Sequence, residues 1–225
     1  VEDFKENGYL PEALINFISF LGWNPGDERE IFSLLELEKE FDFDKVAKSA
    51  AVFNREKLAW YNKQYIQDLD SKKLAELCRP FYQNSGIEIG DRKLETIVAL
   101  EAGRANTLTD IVNETGYIFA DKLEYEPELL VWKKSTREGS KEKLELLHAF
   151  LSDISEDDWN EKYLEENLIA WIKENEYGVG DVLWPMRTAL SGRKNSPGPF
   201  EIAGVLGKGV VLERVLRGSD NIKII

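Results

Sequence analysis

Apolar residues recur every three to four positions along most of this chain, which is the spacing that places them on one face of an α-helix. Pro11 suits the first turn of such a helix and Gly22 its end, so the pattern predicts a helix between them. The stripe that defines this first helix consists of Leu10, Leu14, Phe17, Ile18 and Leu21.

Side chains that can cap a helix precede several later stripes. Ser33 and Glu36 have the spacing of a capping box, and Asn54 precedes the stripe of residues 55–66. Asp70 or Ser71 can cap a helix over 72–82, and the segment Ser155–Asp158 is expected to cap one over 159–176. Further stripes predict helices from residue 91, over 108–119, over 141–154, and three short ones around Pro185, the 192–199 loop and Gly207.

Strand signals are few. Only residues 50–53 and 86–90 resemble short strands, and residues 133–140, which are polar and contain Gly, are the best linker candidate. The pattern therefore predicts a mainly α protein, with multi-helix bundle-like subdomains in an elongated arrangement and no sizeable sheet.

The composition is that of a folded domain. Hydrophobic residues make up 43% and charged residues 32% of 225 residues, with six Trp, eight Tyr and eleven Phe. No apolar run is long enough to span a membrane, and the first ten residues lack the features of a signal peptide. The chain starts with Val, so we expect a fragment. The lone cysteine, Cys78, fits a reducing, cytoplasmic setting.

Enzymatic motifs are missing from the chain. Cys78 and His148 are the only Cys and His, so they cannot build a Cys/His zinc site, and both are expected to be half-buried helix residues. His148 lies within an amphipathic stripe, which argues against a catalytic base, and neither GxxxxGK[ST] nor GxGxxG occurs. Acidic pairs are inevitable with 42 Asp and Glu. A self-sufficient enzyme is therefore the least favoured class.

Charge is distributed unevenly along the chain. The net charge of −13 argues against nucleic acid, but residues 181–225 contain seven Lys or Arg against four Asp or Glu. That segment carries +3 and the other 180 residues carry −16. A basic segment on an acidic chain is the pattern that points to an anionic partner.

The stretch RTALSGRKNSPGPFE (187–201) concentrates the candidate chemistry. Trp184 lies three residues before Arg187 on a predicted helix, so the two side chains share one face and offer stacking and a hydrogen-bonding fork. The loop adds Arg193, Lys194 and the hydroxyl of Ser196, and the next helix is expected to offer free N–H groups to an anion. The loop is stiffened by Gly192, Pro197, Gly198 and Pro199. Either this is a surface for single-stranded RNA, or it is a corner between packed helices with Trp184 in the core.

Three segments resemble one family. LWPMRTALSGRKNSPGPFEIAGVLGK (183–208) resembles the C-terminal signature of bacterial-type glutamyl-tRNA synthetases, in which R-x-A-L-[TS]-G precedes S-P-G-x-F-E and L-G-K. Residues 8–37 resemble the segment after that family's second ATP-binding signature. Residues 46–66 resemble its run K-S-x-A-V-F-[DN]-x-x-K-L-x-W-x-N-x-x-Y-I. The resemblance extends over essentially the whole chain, in order.

The resemblance implies the C-terminal half of a class I glutamate–tRNA ligase. The family's HIGH-type motif needs two histidines and this chain has one, and its KMSKS-type loop is absent, so the chain alone is expected to be inactive. ATP and Mg²⁺ would belong to the missing catalytic domain, with no cofactor in this part. Residues 1–82 would be a stem-contact domain, and 83–138 and 139–225 two helical anticodon-binding subdomains.

The resemblance also implies partners. They are glutamate tRNA, with glutamine tRNA as a second candidate, and the missing catalytic domain, for a monomer that binds no membrane. Trp184, Arg187, Ser196, Pro197 and Gly198 fall where the family contacts the first two anticodon bases, and Arg193 and Lys194 lie in the basic loop expected to clasp them.

Arg104, in GRANTL, falls where the family has an Arg that favours C at the third anticodon position, the base that separates glutamate from glutamine tRNA. Gly103 and Asn106 depart from the family's usual E-R-x-K-T-L, and Gly209 departs from the Glu that often follows L-G-K. The alternative from another functional class is a helical protein-interaction module that uses its acidic face and binds no RNA.

Overall fold

The fold is entirely helical in the part of the chain that the computed structural model describes, residues 2–47 and 52–224. Within those ranges the only β pairing is a single antiparallel bridge between Trp23 and Val46. The prediction of a mainly α protein is confirmed. Residues 86–90 form a loop and not a strand. The other predicted strand, 50–53, falls partly outside the described residues, and Val52 and Phe53 have no regular structure.

Contacts divide the chain into two units, one that extends to Thr115 and one that begins at Gly116. The division into three domains at residues 82 and 138 is a different partition and stays a prediction. The first unit contains helices α1 (Glu2–Glu6), α2 (Pro11–Ser19), α3 (Leu34–Glu40), α4 (Arg55–Gln67), α5 (Ser71–Asn84), α6 (Asp91–Ala102) and α7 (Leu108–Thr115).

The second unit begins with two 3-10 helices, Gly116–Phe119 and Pro127–Leu130. Its α-helices are α8 (Arg137–Asp153), α9 (Glu161–Glu174), α10 (Val179–Ser191), α11 (Pro199–Leu206) and α12 (Lys208–Asn221). Helices α8, α10 and α12 pack on one another. Their apolar stripes form the buried core of the unit, with Leu144, Leu147, Leu151, Val182, Met186, Leu190, Val211 and Val215. None of the described helices is both long and apolar enough to cross a membrane.

The predicted caps at Ser33, Asn54 and Asp70 are confirmed. Ser33 Oγ accepts from the Glu36 N–H at 3.2 Å, and the Glu36 carboxylate accepts from the Ser33 N–H at 2.7 Å. Asn54 Oδ1 accepts from the Lys57 N–H at 3.1 Å, and Asp70 Oδ1 accepts from the Lys73 N–H at 2.8 Å. Each cap satisfies a backbone donor that the first turn of a helix leaves without a partner.

One predicted cap is wrong. Ser155 and Asp158 bond to each other in a closed turn, in which the Asp158 N–H donates to Ser155 Oγ at 3.2 Å. Helix α9 begins only after Asn160, whose Oδ1 accepts from the Tyr163 N–H at 3.0 Å. Ser155 and Asn160 are both residues that can cap a helix. Asn160 is the cap because it directly precedes the segment whose apolar stripe is buried.

The predicted linker is also wrong. Thr136 caps α8 by accepting from the Gly139 N–H at 3.0 Å, and Ser140 is already buried in the first turn. A polar composition here reflects a helix start and not a flexible connection.

The lone cysteine is more buried than expected. Cys78 lies on α5 with no exposed surface, and burial raises the pKa of its thiol to about 12. His148 is half-buried on α8, as expected.

Buried amides connect α4 to the loops of the first unit. Asn62 Oδ1 accepts from the Leu10 N–H at 2.7 Å, and Asn62 Nδ2 donates to the Asn106 carbonyl at 2.6 Å. The Gly8 carbonyl accepts from the Leu108 N–H at 3.0 Å. These bonds hold residues 8–10 against the start of α7. The close approach depends on Gly8, because a Cβ there would lie 2.7 Å from the backbone nitrogens of Leu108 and Thr109.

Two glycines with nearly equal backbone angles test this close approach. Gly8 has φ +78° and Gly86 has φ +75°, but nothing lies within 4 Å of a Cβ built at Gly86. We expect Gly86→Ala to lower the free energy of unfolding by about 1 kcal/mol, from backbone strain alone. Gly8→Ala should cost about 1–3 kcal/mol more, because the added methyl overpacks the contact with α7. Urea denaturation followed by circular dichroism measures both, and equal losses would show that the contact at Gly8 is loose.

Candidate nucleic-acid interface

Trp184 and Arg187 lie side by side on α10, as their spacing predicts. The Arg187 guanidinium carbon lies 4.6 Å from the centroid of the Trp184 ring, and both residues are half-buried. The pair is therefore neither sealed in the core nor fully in solvent. At this distance the ring face attracts the cation and keeps its plane in place.

Trp184 is itself anchored by the segment before α8. Its indole Nε1–H donates to the Leu129 carbonyl at 2.8 Å, and the ring of Trp132 lies 4.9 Å from the Trp184 ring at an angle of 43°. Gly180 makes room for Trp132, since a Cβ at Gly180 would lie 2.5 Å from the Trp132 Nε1. Sequence reasoning missed Trp132 because it is remote in the chain. Gly180, one turn before Trp184, is the only local sign that a second aromatic ring packs against this helix face.

Arg187 braces the loop that follows the helix. Its Nη1 donates to Ser196 Oγ at 2.9 Å, and its Nη2 donates to the Lys194 carbonyl at 2.8 Å. Helix α10 ends at Gly192, whose φ of +67° suits the left-handed turn that begins the loop. We call residues 192–198 the basic loop. The planar guanidinium of Arg187 can bond to the Lys194 carbonyl and to Ser196 Oγ at the same time. A lysine ammonium at this position lacks the two separate donor groups that this geometry needs.

The basic loop presents only some of its side chains to solvent. Lys194 and Asn195 are exposed, and Pro197 is buried. The other predicted loop residues, Arg193, Ser196 and Gly198, are half-buried. The Arg193 guanidinium lies 5.6 Å from the ring of Tyr117. The geometry thus brings Trp184, Arg187, Arg193, Lys194, Ser196, Pro197 and Gly198 together in one place.

A carboxylate of the first turn of α11 lies at the start of that helix. The N–H of Gly198 donates to Glu201 Oε2 at 2.6 Å, and Gly198 has no side chain that could accept a bond in return. The side chain of Glu201 therefore already supplies the negative charge that a helix N-terminus favours. The N–H of Gly198 is therefore already bonded within the protein, and the anion site expected at the start of this helix stays a prediction.

Much of the positive charge in residues 181–225 serves the fold. Lys208 Nζ donates to the carbonyls of Ser152 and Ile154 at 2.9 and 2.5 Å, at the end of α8. Arg217 Nη1 donates to the Asp121 carbonyl at 2.8 Å. The basic residues that lie on the basic loop or support it are Arg187, Arg193 and Lys194.

Arg214 shows this structural use of charge most clearly. It is 6% exposed and donates at 2.7–2.9 Å to the carbonyls of Leu190, Tyr117 and Ala120. Burial lowers the pKa of the Arg214 guanidinium. It ties the end of α10, directly before the basic loop, to the first 3-10 helix of the unit.

Arg104 lies in the first unit, in the turn between α6 and α7. Its side chain is 43% exposed, and its Nε lies 3.1 Å from Oε2 of Glu101. The Glu101 side chain is only 2% exposed.

Within the described ranges, no group of three or more His, Cys, Asp or Glu side chains is placed to hold a metal ion.

Comparisons with known proteins bear on both units. A family model described as anticodon binding domain matches residues 73–218, and a model described as the catalytic domain of class I tRNA synthetases (E and Q) matches residues 1–60. A glutamate–tRNA ligase from Clostridium botulinum strain Eklund 17B is 40% identical over 225 residues, which are 99% of this chain and 46% of that protein.

Solved structures agree. A glutamate tRNA ligase from Elizabethkingia meningosepticum, crystallised in complex with its amino acid, matches with a TM-score of 0.85 and 28% identity over 98% of this chain and 43% of its own. The glutamate-tRNA synthetase of Elizabethkingia anophelis matches with a TM-score of 0.80 and 28% identity over 96% of this chain and 42% of its own. The chain thus spans less than half the length of the relatives it matches.

The bracing role of Arg187 can be tested without any ligand. Arg187→Met keeps the aliphatic stem over Trp184 but removes both donors to the basic loop. We expect amide hydrogen exchange at residues 193–196 and at Gly198 to accelerate about tenfold, the scale of a lost hydrogen bond to a charged group. Arg217→Met, which removes an equal charge on α12, is the control and should leave that exchange unchanged. Equal protection in the wild type and Arg187→Met would mean that the loop holds its shape without the fork.

Proposed function

This chain belongs to the anticodon binding domain family, and we propose from that membership that it is the tRNA-recognition part of a glutamate–tRNA ligase. The similar proteins named above are called glutamate–tRNA ligases, and this chain spans the part of them that follows most of the catalytic domain. In the whole enzyme, ATP, Mg²⁺ and glutamate would be used by the catalytic domain. This part would bind the stem and anticodon of glutamate tRNA.

The observation that carries the proposal is the contact between Trp184, Arg187 and the basic loop. Proteins read unstacked RNA bases with aromatic rings, guanidinium planes and closely approaching backbone. The Arg187 plane is held on Trp184 at 4.6 Å and tied to Ser196, so the loop has its shape before any ligand arrives. Arg193 and Lys194 would contact the bases and phosphates of the anticodon, and Ser196, Pro197 and Gly198 would shape the cleft for the first two.

Arg104 would read the third anticodon base. Its side chain is 43% exposed, and its guanidinium donors match the O2 and N3 acceptors on the Watson–Crick edge of an unstacked cytosine. We propose that it favours the C of glutamate tRNA over the G of glutamine tRNA, and glutamine tRNA remains the second substrate to be compared.

The first unit also carries a surface suited to the rest of the enzyme. Leu35, Phe43 and Val52 are 77%, 84% and 85% exposed, and all three lie in the segment that matches the catalytic domain model. Exposed apolar side chains mark a surface that another domain covers when they lie together in one patch. We propose that the remainder of the catalytic domain packs there.

The alternative is a protein-interaction module that uses the acidic helices without RNA. The net charge of −13 favours it, while the arrangement of the basic loop favours RNA. Binding measurements with RNA distinguish the two.

The first expected result is salt-sensitive binding of glutamate tRNA by this chain. The dissociation constant should rise steeply between low and physiological salt, because each phosphate contact releases counterions. The chain should show no ATP–pyrophosphate exchange, since the catalytic motifs lie outside it. Filter binding and an exchange assay measure the two properties. Absence of tRNA binding at low salt would refute RNA recognition, and pyrophosphate exchange would refute the assignment to the recognition part.

The second expected result concerns Arg187. Arg187→Ala should weaken binding of glutamate tRNA by about 1–3 kcal/mol at fixed salt, because it removes the guanidinium plane beside Trp184 and the charged donor groups that hold the basic loop in shape. Arg217→Ala removes the same charge from the same unit and should cause a much smaller loss. Equal effects of the two variants would reduce Arg187 to a contributor of net charge.

A further inference from the structure

The carboxylate of Glu101 is buried beside Arg104, the residue that we propose reads the third anticodon base. Glu side chains are rarely buried to this degree unless they are paired, and Glu101 is 2% exposed. Its two oxygens face one edge of the Arg104 guanidinium, with Nε at 3.1 Å from Oε2 and Nη2 at 3.4 Å from Oε1. This side-on contact aims the outer edge of the fork, which includes Nη1, away from the carboxylate.

The backbone of the turn that carries Arg104 is held at both ends by α4. Gln67 Nε2 donates to the Gly103 carbonyl at 2.9 Å, and Asn62 Nδ2 donates to the Asn106 carbonyl at 2.6 Å. Asp110 Oδ2 also accepts from the N–H groups of Asn106 and Thr107 at 3.0 and 2.9 Å. The turn is therefore tied to its surroundings by both its carbonyls and its amides.

We propose that Glu101 and Gln67 are positioning residues that orient Arg104 for base recognition, Glu101 by fixing the guanidinium and Gln67 by fixing the turn. The inference rests on the proposed function, in which Arg104 reads the third anticodon base. An exposed Arg side chain that is free to rotate loses much conformational entropy when it binds, and a guanidinium fork discriminates only in the right plane. The Glu101 carboxylate holds the guanidinium in one plane, and the Gln67 amide holds the turn in one conformation. Both contacts therefore lower the entropy that Arg104 loses on binding and keep its fork in the plane of the base.

Asn62 belongs to the same support but is a poorer probe. It is fully buried and also accepts from the Leu10 N–H, so its replacement would disturb the core. Gln67 is exposed at the end of α4, and its removal leaves the core intact.

The test uses this chain and two synthetic anticodon stem-loops of glutamate tRNA that differ only in C or G at the third anticodon position. The quantity measured is the ratio of the two dissociation constants at fixed salt. The variants are Arg104→Ala, Glu101→Gln, Gln67→Ala and the double variant Arg104→Ala with Gln67→Ala. Glu88→Gln and Gln83→Ala, exposed in the same unit, are the matched controls.

We expect Arg104→Ala to reduce the preference for C by about 5- to 150-fold, the scale of a bidentate base contact. Glu101→Gln and Gln67→Ala should each reduce it by about 2- to 10-fold, the scale of one hydrogen bond. Gln67→Ala should have no further effect in the Arg104→Ala background, and the controls should keep the wild-type ratio. A merely structural role would weaken binding of both stem-loops alike and leave the ratio unchanged.

The outcomes distinguish the positioning role of Glu101 and Gln67 from the proposed role of Arg104. The positioning role is overturned if Arg104→Ala loses the preference for C while Glu101→Gln and Gln67→Ala both keep the wild-type ratio. The proposed function is not affected by that result. If Arg104→Ala itself keeps the ratio, the assignment of Arg104 fails and the positioning role fails with it. Should Glu101→Gln unfold, as its thermal melt would show, Gln67→Ala alone decides the question.

Discussion

The constraint that governs this molecule is the need to satisfy the backbone carbonyls and amides of the loops that connect its helices, since the described residues contain no sheet. Side chains from distant helices meet that need. Asn62 bonds to Leu10 and Asn106, Arg214 bonds to Leu190, Tyr117 and Ala120, and Trp184 bonds to Leu129. A buried polar group without a partner is costly, so each of these side chains determines where a loop can lie.

The basic loop is a product of the same constraint. Arg187 uses its charge first to hold the Lys194 carbonyl and the Ser196 hydroxyl, and Trp184 keeps the guanidinium plane in position. A loop that is ordered before binding loses less entropy when a ligand arrives. The candidate residues of the second unit are thus part of its architecture, and a substitution at Arg187 changes the shape of the basic loop.

Local features of the fold were predictable from the sequence. The caps at Ser33, Asn54 and Asp70 depend on residues within one turn, and the apolar stripes mark each helix face. The competing cap at Asn160 and the helix start at Thr136 were missed, because polar residues suit turns, caps and linkers equally well.

In the candidate sites, the adjacency of Trp184 and Arg187 followed from their spacing of three. The ring of Trp132 is brought to Trp184 only by the tertiary fold, so spacing gives no sign of it. Glu101 is three residues from Arg104, but its burial depends on how α6 packs. The number of basic residues in 181–225 predicts a larger basic surface than the structure has. Lys208, Arg214 and Arg217 use their charged groups to bind backbone carbonyls.

The carboxylate of Glu201 at the start of α11 has a consequence for the orientation of any bound strand. It sits on the Gly198 amide, at the C-terminal end of the basic loop, while Lys194 is exposed nearer the other end. A polyanion laid along this surface meets attraction on one side and repulsion on the other. A bound polyanion would therefore place its phosphates near Lys194 and keep them away from Glu201, so the two ends of the loop are not equivalent to an anionic strand.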